Sequence, residues 1–129
     1  MFINFSNHSS NMWCDEQMNA ARSYGEICDV EFPDVSVTAT EDDIIALATE
    51  QIDLLEKAAA SVGKSLSQTT IMCQGEFSLT YAMVSRIKAK YPECKMVCAL
   101  SKRQVVEQQQ GSTTVKNVLF DFCGFREYK

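Results

Sequence analysis

Two short polar segments carry the side chains of this 129-residue chain best suited to chemistry. The first is Ser6-Asn7-His8-Ser9-Ser10, which contains the only histidine. An imidazole gives or takes a proton near neutral pH, and the three hydroxyls and one amide beside it can hold a polar ligand. A histidine in this position could equally cap a following helix. The second segment is Gln74-Gly75-Glu76-Phe77-Ser78, with Thr80 just beyond. Gly75 permits close backbone approach or a positive φ, and Ser78 and Thr80 fall where a helix start offers free amides to an anion. The same residues also read more plainly, with Gly75 making a turn and Ser78 capping a helix. Neither segment is a G-x-G-x-x-G or P-loop fingerprint, so no motif supports NAD or ATP binding. No paired carboxylates on one face and no nucleophile elbow are present. Trp13, the single tryptophan, is either a core anchor or a stacking surface for a base.

The six cysteines, Cys14, Cys28, Cys73, Cys94, Cys98 and Cys123, include no pair at the two-residue spacing of a zinc knuckle or a thioredoxin-type motif. Cys28 and Cys73 sit among apolar residues and read as small buried hydrophobes. A metal site at Cys94, Cys98 and His8 has little behind it, and neither metal nor cofactor is expected. The N-terminus lacks the basic start and apolar stretch of a signal peptide, and no apolar run approaches the roughly 18 residues of a membrane span. These features predict a soluble cytoplasmic protein with free thiols.

Net charge is −5, unevenly spread. Residues 1–85 hold three basic against thirteen acidic residues, and residues 86–129 hold nine basic against four acidic. An anionic ligand would therefore meet the C-terminal third. The acidic surplus argues against general binding to duplex DNA or RNA.

The patterning predicts the elements that hold these segments. Phe2–Phe5 is a strand (β1), and a helix (α1) runs from about Asp15 to Tyr24, closed by Gly25. Glu26–Phe32 is β2, ended by Pro33. Thr40 caps a long helix (α2) reaching about Val62, with Ile44, Leu47, Ala48, Ile52, Leu55 and Ala59 at helical spacing. Thr69–Cys73 is β3, uncharged and β-branched as a central strand should be. The turn at 74–78 leads into a helix (α3) ending before Pro92, and Lys95–Leu100 is β4. Two further strands, around Val105 and over Val115–Phe122, flank a turn at Gly111-Ser112 and predict an antiparallel hairpin added to the sheet.

Strands and helices in this alternation predict one α/β domain of Rossmann-like, three-layer αβα type. Its sheet is mainly parallel, in the order 2-1-3-4, extended by the hairpin. In that order α1 and α3 leave on opposite faces, so a crevice opens at the carboxyl ends of β1 and β3. Both polar segments fall there. Ser6, Asn7, His8, Ser9, Ser10, Gln74, Gly75, Glu76, Phe77, Ser78 and Thr80 are therefore the candidate site residues.

Asn4-Phe5-Ser6-Asn7-His8 after an opening strand, with Cys73-Gln74-Gly75-Glu76-Phe77-Ser78-Leu79-Thr80 feeding a helix, resembles the small single-domain CRISPR-associated Rossmann fold proteins. The chain differs in the Asn7 between Ser6 and His8, and in Glu76 where a small or hydroxyl residue is common. An acid there would repel phosphate unless it met ribose or adenine. The resemblance implies a homodimer that binds a cyclic oligoadenylate, the second messenger of type III CRISPR antiviral defence. It further implies a metal-independent ring nuclease, in which a ribose 2′-hydroxyl attacks the adjacent phosphate and leaves a 2′,3′-cyclic phosphate, with His8, Ser9 and Ser78 in the chemistry and Lys102 or Arg103 on the phosphate. Two other readings remain open: a non-catalytic nucleotide sensor, and an interaction module assembling through its hairpin edge.

Overall fold

A computed structural model of the protein describes residues 1–129, the side chains of Val106 and Val118 excepted. Three helices and five strands alternate along the chain. They are β1 (Phe2–Ser6), α1 (Asp15–Arg22), β2 (Ile27–Glu31), α2 (Glu41–Ala60), β3 (Thr70–Gln74), α3 (Phe77–Lys90), β4 (Lys95–Gln110) and β5 (Thr113–Glu127). The result is a mixed α/β structure on one sheet of order β2-β1-β3-β4-β5. The first four strands are parallel and β5 is antiparallel to β4.

Local chemistry accounts for the main boundaries. Thr40 and Asp43 form a reciprocal capping box at the start of α2: Asp43 N donates to Thr40 Oγ1 at 3.2 Å and Thr40 N to Asp43 Oδ2 at 2.9 Å. Glu41, Asp42 and Asp43 occupy its first turn, where the helix dipole favours acids. Every residue of β1 is buried, as fits a strand paired on both sides and covered on both faces.

Alternation along β1 and β3 separates two cores. Ile3, Phe5, Ile71 and Cys73 face Ala48, Ile52, Leu55 and Ala59 of α2 and Leu79, Met83 and Ile87 of α3. Phe2, Met72 and Val97 face the other way, onto Ala21 of α1. The two coverings are unequal. α2 has twenty residues and α3 fourteen, but α1 has eight, about 12 Å of helix at 1.5 Å per residue. The α1 face is thus left uncovered toward the carboxyl ends of the strands.

The C-terminal third departs from the pattern expected of it. β4 does not stop at Leu100. It runs sixteen residues to Gln110 and is itself the first strand of the hairpin, so the sheet has five strands and not six. The polar run Ser101-Lys102-Arg103-Gln104 resembles a loop only if a strand must bury one face, and these residues are exposed. Beyond Ser101 the two strands leave the sheet as a ribbon of about ten residues, roughly 33 Å long. A bulge between Leu100 and Ser101 marks the departure. The turn is at Gly111-Ser112 as expected, with Gly111 at φ 62 in the position a type II′ hairpin turn reserves for glycine.

Candidate functional site

At the carboxyl ends of β1 and β3, on the side that α1 leaves bare, lies a crevice of about 860 Å³. Its position follows from the sheet. β3 and β4 pair only from Thr70↔Lys95 to Met72↔Val97 and then separate. Side chains bridge the gap: Gln74 Oε1 accepts from Ala99 N, and Tyr128 donates its hydroxyl to Cys73 O at 2.7 Å. Burial pushes the Tyr128 phenol up to about 12, so it remains a donor across the neutral range.

The loop after β1 is held from within. Asn4, buried on the α1 face, donates to His8 O at 2.8 Å and to Asp29 Oδ1 of β2 at 2.9 Å. Ser6 Oγ donates to Asn4 Oδ1 at 2.6 Å. Asp29 also accepts from Ser10 N at 3.2 Å, Ser10 Oγ at 2.9 Å and Ser9 Oγ at 3.3 Å. Partial burial raises the Asp29 carboxyl. The hydrogen bonds from Asn4, Ser10 and Ser9 outweigh that and hold it below the ordinary carboxylate range.

Of the loop residues expected at the site, Ser6, Asn7 and His8 line the crevice, the last two exposed. Ser9 and Ser10 are not among its lining residues; they are turned to Asp29. The histidine does not cap α1: Cys14 stands at that N-cap. Trp13 packs edge-on to Phe2 at 6.1 Å, as a core anchor does, and also lines the crevice.

The turn after β3 brings Gln74, Gly75, Phe77 and Thr80 into the crevice. Thr80 Oγ1 is buried without a hydrogen-bond partner among the described residues. Gly75 does not have a positive φ. It is needed because a Cβ there would stand 2.4 Å from the Phe32 ring, so the close approach is to the protein's own core. The cap of α3 is Glu76, in place of the expected Ser78. Its carboxylate accepts from Ser78 N and Leu79 N, both at 2.9 Å, and from Ser78 Oγ at 2.7 Å. Those bonds hold the Glu76 carboxyl below its usual range. The amides expected to meet an anion are therefore already occupied by one, and Ser78 is bound to it.

Lys102 and Arg103 lie within β4, on the projecting ribbon, and not in a loop after it. Neither lines the crevice. Arg103 pairs with Phe120 across the ribbon, on the crevice-side face, and Lys102 pairs with Asp121 on the other. All six cysteines are free. Cys94 is buried in the α2–α3 core and Cys98 lines the crevice, so with His8 they form no common site. No group of three or more potential metal ligands converges among the described residues. No helix among them is long and apolar enough to cross a membrane.

Sequence reasoning missed Asp29, Gln17, Tyr128, Phe120 and Phe122. Asp29 signals itself only as one acid in an alternating strand. The two phenylalanines enter the crevice because the ribbon continues from the sheet edge beside it.

Fold and site together define a mixed α/β protein with a crevice at the carboxyl ends of β1 and β3. The chain belongs to the Uncharacterized protein MJ1673 family, whose model matches residues 1–126. Neither the curated proteins nor the solved structures give a match.

Proposed function

We propose that this is a Rossmann-like, three-layer nucleotide-binding domain that binds and cleaves a cyclic oligoadenylate in the crevice, as a cytoplasmic homodimer. One observation carries the reading. Seven residues from two distant polar segments (Ser6, Asn7, His8, Gln74, Gly75, Phe77 and Thr80) share one crevice at the topological switch point of the sheet. The resemblance of those segments to CRISPR-associated Rossmann fold proteins supplies the ligand. In the reaction the ribose 2′-oxygen attacks the adjacent phosphorus and the phosphorus–O5′ bond breaks. The 2′-hydroxyl proton goes to solvent, and the leaving O5′ takes one, from His8 if the imidazole is the acid. With Ser9 held by Asp29 and Ser78 by Glu76, His8 is the remaining candidate for that role, and alignment of the ribose supplies most of the rate.

The test is incubation with cyclic tri-, tetra- and hexa-adenylate without added metal, with products resolved by chromatography. The expected product is a linear oligoadenylate ending in a 2′,3′-cyclic phosphate. If His8 is the acid, His8→Ala slows single turnover by roughly 10²–10⁴-fold with affinity little changed. Full activity in that variant removes His8 from the chemistry. A second reading, a sensor that binds the same ligand without turnover, is favoured by the lack of any lysine or arginine among the described crevice residues. Binding without product selects it, and absence of both refutes the two readings together.

A further inference from the structure

The crevice is uncharged, and its walls are more apolar than polar. No lysine, arginine, aspartate or glutamate is among its described lining residues. The adjoining N-terminus of α3 has its Ser78 and Leu79 amides bonded to the Glu76 carboxylate, so an incoming phosphate would meet fixed negative charge where donors might have stood. What the crevice does hold is aromatic surface. Phe77 is 91% exposed and Phe120 69%, two phenyl rings from distant elements in one crevice and in water. Neither is needed by the core, and each leaves a π-face without a partner. The amide side chains of Asn7 and Gln17 line the same space.

We infer that the crevice reads its ligand through the base and not through the phosphate: a neutral purine stacks on Phe77 and Phe120, its edge meets the Asn7 and Gln17 amides, and the phosphates face solvent. A purine suits these walls because it is uncharged at neutral pH, offers a π-face, and carries donors and acceptors on its rim. The inference rests on the nucleotide reading of the crevice and adds how the nucleotide is recognised.

Calorimetric titration with cyclic tetra-adenylate tests it. Base recognition predicts an affinity that changes less than about threefold between 50 and 200 mM salt, whereas a site holding all four phosphates would lose roughly 50-fold. Millimolar pyrophosphate should not displace the ligand. Phe77→Ala and Phe120→Ala, both at exposed positions, should each weaken binding by roughly 5- to 100-fold with the melting temperature unchanged, and Phe77→Trp should restore it. Displacement by pyrophosphate, a steep fall with salt, or full affinity in both alanine variants would overturn base recognition while leaving a nucleotide site standing. Failure of the wild type to bind either cyclic tetra-adenylate or adenosine monophosphate overturns both.

Discussion

Replacing Glu76 with alanine removes the acceptor of two backbone amides and one hydroxyl at the start of α3. A side-chain N-cap contributes about 1 kcal/mol, and a negative charge at a helix N-terminus adds some tenths more. The carboxylate is exposed, so about 1–2 kcal/mol is the expected loss at pH 7. At roughly 2.1 cal/mol/K of unfolding entropy per residue over 129 residues, that lowers the melting temperature by about 4–7 °C. Because the bonds hold the carboxyl below its ordinary 4.5 in the folded state, the contribution is complete above that pH. It disappears as pH falls through the lowered folded value. Circular dichroism melts of wild type and variant should show a constant gap from pH 8 to 5 that narrows in more acidic buffer. Ser78 and Leu79 amides freed by the substitution form an anion site, so millimolar phosphate should raise the melting temperature of Glu76→Ala and leave wild type unmoved. A gap below 1 °C at pH 7 (about 0.3 kcal/mol by the same entropy), or one that does not narrow at any pH below the carboxyl's ordinary 4.5, would refute the capping role.

Gly75→Ala would drive a methyl into the buried Phe32 ring, which Phe5 backs at 4.9 Å, and should cost about 1–3 kcal/mol in urea unfolding; an unchanged midpoint would show that the turn has room. Asp29→Asn weakens the anchor of the His8 loop, so stability should fall by about 0.5–1.5 kcal/mol and the Ser10 amide should exchange faster with solvent. The folded Asp29 carboxyl is depressed, so the wild-type lead is present above its ordinary 3.8 and fades as pH falls below it; a pH-independent lead would place the effect elsewhere. An isolated two-stranded ribbon is marginal in water, and this one exposes Leu119 on the face turned away from the crevice. Light scattering should therefore give twice the 14.5 kDa chain mass, reduced toward monomer by Leu119→Asp; a wild-type monomer at micromolar concentration would sink the dimer.

Where the deciding interactions are local, the chain announces them. Thr40 followed by three acids and then apolar residues at helical spacing is legible as a capped helix because its partners lie within one turn. The uncharged run at Thr70–Cys73 is legible as a central strand because burial on both faces excludes charge. The choice between Glu76 and Ser78 as the cap of α3 was not legible, since both side chains can accept from those amides. The backbone at Glu76, φ −55 and ψ 136, places its carboxylate there. The hairpin and its turn were legible, but not the run of β4 through Ser101–Gln104: a strand exposed on both faces carries no alternation to find.

Alternation of strand and helix, once joined to the right-handed crossover rule, called for a parallel sheet; its commonest order, 2-1-3-4, is the one the sheet has, and that order places a crevice at the carboxyl ends of β1 and β3. Only the tertiary structure decided what fills that crevice. Asp29 reaches the His8 loop because β2 lies beside β1 in a register that pairs it with Asn4. Phe120 and Phe77, more than forty residues apart, line one crevice because β4 outruns its pairing with β3 and carries the ribbon past the crevice mouth. Helical period and capping are settled within a few residues, so sequence shows them. Register and strand overrun are settled by packing between distant segments, and no local pattern encodes them.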